Sequence, residues 1–429
     1  MGTLRTALFC YLFARQNDGK YLLRIEDTDK IRSKKEYEDD ILAMLEWLGI
    51  TYDAFFRQSE HLDNHKVFLQ QLIDDGKAYI SSEESKEKAG VMRNLIRYKN
   101  TNETVTFHDL ILGDITVDTS DLGDFVIAKD FDTPLYNFAV VVDDCEAGIT
   151  HVIRGQDHVS NTPRQILLYR ALGKPEPKFA HIPLILAPDK QKLSKRKHGE
   201  SVSVRHYREQ GYLPEALINF MALIGWNPGT EQEIFSLDEL VRTFSIERVQ
   251  KSPGVFNVEK LNWLNKEYIR KLSPELQKEW IVKYLPDSFK KSPGFDVDKL
   301  DMLIPVIIDR IEKFNDVTTM AETGELDFFF VAPRIEKEKI IFKGSNTEEM
   351  VVLLTKAKEI LESVSVWNIE QIKADLMQYA DTLPKRGPFL HPLRYSLSGL
   401  EKSPDPFTIA SIIGKEEALK RVGAALKML

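Results

Sequence analysis

The apolar pattern changes character part-way along the chain, and that change constrains the fold more than any other feature. Before about residue 200, short apolar runs alternate with amphipathic stretches. Beyond Ser273-Pro274 only amphipathic helical patterns follow, among them residues 300–314, 348–364 and 369–379. Strands alternating with helices point to a largely parallel sheet, since parallel neighbours need a crossover long enough for a helix. Helices without strands must pack on one another. The sequence therefore predicts an α/β unit followed by an all-α region. A chain of 429 residues is too long for one core, so roughly two to four domains are expected.

In the front half, residues 4–16 read as an amphipathic helix stopped by the Asp18-Gly19 turn. Residues 20–25 read as a buried strand. Glu26 to Asp29 follow its C-terminal end, where open parallel sheets place ligands. Residues 34–48, stopped by Gly49, and 64–75 read as helices. Residues 81–102 are polar and lysine-rich and read as helix plus loop. Residues 105–117 and 124–129 read as strands of an inserted α+β unit. Residues 138–142, 151–153 and 184–186 are predicted strands of the main sheet. Residues 162–172 form a predicted helix closed by Gly173 and Pro175, and Pro214 opens another through residue 224.

Composition narrows the class. Hydrophobic residues at 43% and charged residues at 29% are those of a soluble globular chain. No apolar run reaches the length needed to span a bilayer. Residues 7–14 mimic a short signal-peptide core, but no small-residue cleavage site follows, and a buried helix is expected. The two cysteines, Cys10 and Cys145, are too few for a disulfide scaffold or a Cys-rich zinc site. His61 and His65 are spaced i, i+4 beside Asp63 and Asn64, and read as a solvated helix face rather than a metal site. The net charge of −8 argues mildly against a nucleic-acid partner, but its distribution matters more. Lys190, Lys192, Lys195, Arg196, Lys197, Arg205 and Arg208 crowd one stretch. Arg334, Lys337, Lys339 and Lys343 form a second. Either group suits phosphate tracking or a merely soluble face.

The most specific chemical signal is Lys192-Leu193-Ser194-Lys195-Arg196 in a loop context, after Ala187-Pro188-Asp189 and before His198-Gly199. Clustered cations on a loop suit the neutralisation of a polyphosphate during displacement at phosphorus. Taken alone, the run also fits a solvated basic turn.

It does not stand alone. Leu23-Arg24-Ile25-Glu26-Asp27-Thr28-Asp29, Tyr136-Asn137-Phe138-Ala139-Val140-Val141-Val142-Asp143-Asp144 and His151-Val152-Ile153-Arg154-Gly155-Gln156-Asp157-His158 precede it in order. Val255 to Asn265 and His391-Pro392-Leu393-Arg394 follow. This succession resembles the glutamyl-tRNA synthetases of the class I aminoacyl-tRNA synthetases, with KLSKR as their KMSKS-type signature. The similarity is dense over residues 1–270, patchy over 271–385 and recognisable again near the end. Gln156 stands where the family has glutamate. Met1 falls on the second position of the family's first signature, HIGH, so the leading His and the strand before it are not in this sequence. The expectation is a start placed too far downstream, with a damaged enzyme as the alternative.

The resemblance implies a Rossmann-type parallel-sheet catalytic domain in two halves, 1–62 and 138–186. It implies an inserted acceptor-binding domain at 63–137 and a KLSKR and stem-contact domain at 187–272. Helical anticodon-binding subdomains follow at 273–345 and 346–429. The implied reaction joins L-glutamate to the 3′ end of tRNA-Glu through a glutamyl-adenylate, with ATP as substrate and Mg²⁺ accompanying it. By position Lys195 is the principal catalytic cation on the triphosphate, supported by Lys192 and Arg196, with Ser194 fixing the loop. Gly2 lets ATP approach the backbone, and Thr3 and Arg5 cap or brace the first helix. Asp157, His158 and the backbone near Ile185 border ribose and adenine. Glu26, Tyr136 and Arg154 take glutamate. No zinc is expected, because the ligands of the zinc knuckle found in some members are missing. The implied protein is a cytoplasmic monomer with no membrane partner, and charging of tRNA-Gln stays open. The helical tail disfavours glutaminyl-tRNA synthetase, which ends in β-barrels. A catalytically impaired paralogue acting as a tRNA-binding protein is the alternative from another class.

Overall fold

A computed structural model describes residues 1–28, 33–84, 92–292 and 294–429, with Lys195 and Arg196 described in their backbone alone. Asp29 of the predicted ligand edge lies outside the described residues. The chain divides into Met1–Leu264 and Asn265–Leu429, close to the predicted change from α/β to all-α.

The first unit opens with α1 (Gly2–Gln16), β1 (Leu22–Ile25), α2 (Lys35–Trp47), β2 (Ala54–Arg57) and α3 (Leu62–Asp74). Then come β3 (Ala78–Glu84), β4 (Met92–Tyr98), β5 (Thr104–Asp109), β6 (Gly113–Asp118) and β7 (Phe125–Ala128). Next are α4 (Tyr136–Ala147), β8 (His151–Gly155), α5 (Thr162–Ala171), β9 (Lys178–Ile182) and β10 (Ile185–Leu186). The unit continues with α6 (Lys195–His198), α7 (Val204–Glu209), α8 (Pro214–Leu223), α9 (Leu237–Thr243) and β11 (Gly254–Val255). It runs into α10 (Val258–Lys271). β1 pairs parallel with β2, β8 with β9, and β10 with β11. The hairpin β5–β6 joins the same sheet as β8 and β9, in the order β6-β5-β9-β8, with β5 parallel to β9. A separate antiparallel sheet has the order β3-β4-β7.

Leu4, Leu8 and Leu12 of α1 are fully buried against Leu217 and Met221 of α8 in one core. Phe138 and Val141 of α4 share a second with Ile166 and Leu167 of α5. α5 starts with proline in its first turn, and Gly173 just past it has φ +66°. That conformation disfavours any residue with a Cβ.

Two predictions of local structure are corrected. Residues 138–142 belong to α4, not to a strand. Phe138 to Val142 are all buried, so a continuous apolar run carries no periodicity to tell strand from helix. The helix extends to Ala147 and closes on left-handed Gly148. Residues 81–102 contribute to the antiparallel strands β3 and β4, which pair from Ala78↔Tyr98 to Glu84↔Met92. Residues 85–91 of that prediction lie outside the described residues. Leu95, Ile96 and Tyr98 are buried while Met92 and Asn94 are exposed, and a half-wet strand of this kind reads as loop by composition. β2 and β9 were not anticipated.

The second unit is helical throughout its described length: α11 (Pro274–Tyr284), α12 (Asp287–Lys290), α13 (Val297–Arg310), α14 (Asn315–Glu322), α15 (Lys337–Ile340), α16 (Thr347–Ser363), α17 (Ile369–Ala380), α18 (Gly387–Ser398), α19 (Pro406–Ile413) and α20 (Lys415–Met428). Ser273, Asp296, Asn346, Asn368 and Asp405 each cap a first turn with a side-chain oxygen, worth about 1 kcal/mol apiece. α16 packs on α18 and α20, burying Leu354, Leu393 and Val422. Among the described residues no helix is long and apolar enough to cross a membrane.

Candidate active site

A cavity of about 630 Å³ in the first unit is lined by the first turn of α1, the C-terminal ends of β1 and β8, and the start of α4. It brings together Gly2, Thr3, Arg5, Glu26, Tyr136, Arg154, Asp157, His158, Ile185 and Lys192. Ser194 follows Leu193 on the same loop. The side chains of Lys195 and Arg196 lie outside what is described.

One part of the cavity suits an amino acid. Arg154, on β8, places Nε 3.1 Å from His181 Nε2 and Nη2 2.8 Å from Thr162 Oγ1. Burial lowers its pKa, and Tyr136 and Asp144 pull the other way. Tyr136 begins α4, its hydroxyl 3.1 Å from His158 Nδ1. Burial, aided by Glu26, raises that phenol. Burial and then Arg154 lower the His158 imidazole. Glu26 follows β1 and accepts from Arg24 Nη2 at 3.1 Å, while Arg24 Nη1 reaches Asp144 at 2.6 Å. Burial works against the charge on Arg24, but Asp144 and Glu26 outweigh it and hold the guanidinium above its ordinary value. Burial pushes the Asp144 carboxyl up. At 2.6 Å from a guanidinium we take the pair as ionised. A zwitterion needs a fixed cation for its carboxylate and a carboxylate for its ammonium, and Arg154 and Glu26 supply both in one cavity.

The other part suits an anion. α1 has no side-chain N-cap and no acidic residue in its first turn, so first-turn amides stay available. A Cβ on Gly2 would meet no protein atom within 4 Å; internal packing does not demand glycine there. Thr3, in that first turn, is exposed. Arg5 does brace the helix, from Nη1 to the Ile224 carbonyl at 3.2 Å and from Nη2 to the Pro183 carbonyl.

The KLSKR loop is folded back on β10. Leu193 N–H donates to the Ile185 carbonyl at 2.9 Å, Lys192 bridges Leu186, and Ala187 N–H closes on Gln191 at 2.8 Å. Ile185 thus spends a carbonyl lone pair on the loop. Ser194 is held through its backbone, its N–H 3.2 Å from His198 Nδ1. Lys192 Nζ lies 3.0 Å from Asp157 Oδ2. Burial pushes Asp157 up, but Lys192 outweighs it, and the carboxyl sits below its ordinary range. Gly155 permits this approach, since a Cβ there would stand 2.6 Å from Asp157 Oδ1.

Four of the other predicted cations are spent locally. Lys197 donates to Gln191, and Arg205 pairs with Glu209 at 2.8 Å. In the second unit Lys337 reaches the Leu429 carbonyl at 2.8 Å and Lys339 pairs with Glu336 at 3.0 Å. The solvated face predicted for His61 and His65 is corrected. His65 is fully buried, 2.7 Å from Asp143, and His61 stacks on Phe56. Among the described residues no three His, Cys, Asp or Glu gather as a metal site.

Sequence reasoning missed Asp109, His181 and Thr162 behind Arg154, and the Arg24–Asp144 pair. The available signal was a polar residue inside an apolar run, as in Phe179-Ala180-His181-Ile182 or Val142-Asp143-Asp144. Asp109 and His181 are fully buried, Oδ2 to Nδ1 at 2.6 Å. Burial would raise Asp109, but His181 and the amides of Leu112 and Ile111 outweigh it and hold the carboxyl below its ordinary value. A carboxyl depressed in the folded state stabilises fully above its unfolded pKa, and that stability fades as pH falls through the folded value. The stability gap between the wild type and Asp109→Asn should therefore be widest near neutrality and narrow below about pH 4. Urea unfolding of the full chain across pH measures it, and a gap constant with pH would refute the assignment.

A profile described as tRNA synthetases class I (E and Q), catalytic domain, matches residues 1–94 and 80–263. One described as anticodon binding domain matches residues 258–426. The glutamate–tRNA ligase of Desulforamulus reducens is 39% identical over 472 residues, covering 100% of this chain and 97% of its own. That of Aquifex aeolicus is 39% identical over 465 residues, covering 100% and 96%. Among solved structures, a glutamate tRNA ligase from Elizabethkingia meningosepticum in complex with its amino acid superposes with a TM-score of 0.86 at 31% identity, over 100% of this chain and 96% of that one.

Proposed function

The chain belongs to the class I tRNA synthetases of the E and Q group, and from that premise we propose that it is a glutamate–tRNA ligase. Relatives that it covers over 97% and 96% of their length carry that name. An α-carboxylate oxygen of glutamate attacks the α-phosphorus of ATP, and pyrophosphate leaves. A ribose hydroxyl of the tRNA 3′ adenosine then attacks the glutamyl carbonyl, and AMP leaves. No covalent enzyme nucleophile is required, so positioning and charge carry the rate.

The reading rests on one observation: Arg154, Tyr136 and Glu26 share a cavity with Lys192 and the first turn of α1. Arg154 takes a substrate carboxylate as a cation that stays charged, and Glu26, steered by Arg24, accepts from the ammonium. Tyr136 lines the same part of the cavity. The first turn of α1, with Gly2 at its start, cradles phosphates. Asp157, His158 and Ile185 border the nucleoside, and Lys192, Ser194, Lys195 and Arg196 bring the charged loop. Mg²⁺ enters with ATP as part of the substrate, on phosphate oxygens and water. Residues 63–137 take the acceptor end, 187–272 the stem, and 273–345 and 346–429 the anticodon. The enzyme acts as a cytoplasmic monomer.

Labelled glutamate, ATP and Mg²⁺ with tRNA-Glu and tRNA-Gln transcripts test this. Transfer to tRNA-Glu is expected. Transfer to tRNA-Gln as well would make the enzyme non-discriminating. Binding of tRNA-Glu with no transfer would replace the ligase by a tRNA-binding protein.

A further inference from the structure

We propose that Asp109 and His181 are positioning residues for the glutamate site, forming a relay across three strands that sets which edge of the Arg154 guanidinium faces the substrate. The inference rests on the reading of Arg154 as a carboxylate-binding residue. The sheet order β6-β5-β9-β8 makes the relay: Asp109 ends β5, His181 lies on β9, and Arg154 is the direct cross-strand partner of His181 on β8.

The hydrogen bonds place the imidazole proton and one edge of the guanidinium. Asp109 Oδ1 accepts from the amides of Ile111 at 2.9 Å, Leu112 at 2.8 Å and His181 at 3.3 Å. Oδ2 faces His181 Nδ1 at 2.6 Å. The carboxylate therefore holds the proton on Nδ1 and leaves a lone pair on Nε2. That lone pair accepts from Arg154 Nε at 3.1 Å, and the Thr162 hydroxyl lies 3.1 Å from it. Thr162 Oγ1 in turn takes Arg154 Nη2 at 2.8 Å. Nε and Nη2 are one edge of the guanidinium fork. None of these contacts uses Nη1, so the end edge is the one presented to a carboxylate. Without the lone pair on Nε2, a half-buried charged N–H loses its acceptor and the fork is free to rotate.

Asp109→Asn gives the sharpest test, because histidine stays in place. Three backbone donors keep the amide oxygen at the Oδ1 position, so the amide NH2 faces Nδ1. The imidazole proton then moves to Nε2 and confronts the Arg154 Nε–H. The expected result is a rise in glutamate KM of about 30–100-fold, with ATP KM within about twofold. His181→Leu, which offers no acceptor, should match it. His181→Gln, whose amide oxygen reaches about as far as Nε2, should stay within about fivefold of wild type.

This rescue order separates positioning from packing, since leucine and glutamine are of similar size. It also decides the matter if Asp109→Asn does not fold. Arg154→Ala separates the two levels of the claim. If it leaves glutamate KM within about threefold, the reading of Arg154 fails and the relay with it. If Arg154→Ala raises glutamate KM while His181→Leu does not, or while His181→Gln is as damaged as His181→Leu, the relay alone is overturned.

Discussion

Lys195→Ala is expected to slow glutamate-dependent ATP–pyrophosphate exchange by about 10²–10³-fold, with glutamate KM within about threefold of wild type. Attack at the α-phosphorus drives negative charge onto the departing pyrophosphate. A cation aimed where that charge develops stabilises the transition state more than the bound substrates, so the loss appears in kcat. The backbone leading to Lys195 is pinned. Its Leu193 amide is bound to Ile185, Lys192 bridges Leu186, and α6 begins at Lys195 one residue after Ser194, whose amide is held by His198. Lys192 makes a useful control. Its ammonium lies 3.0 Å from Asp157, so part of its charge is already answered, and Lys192→Ala should cost only about tenfold. Steady-state exchange kinetics on both variants settles the ranking. A loss below about fivefold for Lys195→Ala, or a loss confined to KM, would remove Lys195 from its role.

How much of this was legible in the sequence depends on whether the chemistry is local. The KLSKR run, Glu26 past a strand end and Arg154 in its motif are each carried by a few adjacent residues, and all lie at or beside one cavity. A polar residue inside an apolar run could mark His181, but its meeting with residues 109 and 154 comes only through sheet order, which no short window contains. The misread segment 138–142 failed for another reason. A helix buried on every side has no polar face to betray its period, and only its length and the left-handed Gly148 reveal it. The lysine-rich stretch 81–102 failed in the opposite sense: strands that keep one side in water read by composition as loop. At the start of α1, where Thr3 and Arg5 were expected to cap or brace the helix, Arg5 does so across the fold to Pro183 and Ile224.

Arg24→Leu is expected to destabilise the chain by about 3–5 kcal/mol and to abolish most glutamate activation. Asp144 is buried on α4, where it accepts from Arg24 Nη1 at 2.6 Å and from the Tyr169 hydroxyl at 3.2 Å. The Arg24 side chain is 18% exposed and that of Asp144 8%, so solvent does little to screen the pair. Removing the guanidinium strands a carboxylate in an apolar setting with one neutral donor, which costs more than the pair contributed. The double variant Arg24→Leu/Asp144→Leu removes both charges and should recover most of the stability. It should not recover activity, because Glu26 has lost the Nη2 contact at 3.1 Å that steers it. Denaturant unfolding and pyrophosphate exchange on the same three proteins separate these effects. Stability and exchange returning together in the double variant would mean that Arg24 serves the fold alone and that Glu26 needs no steering.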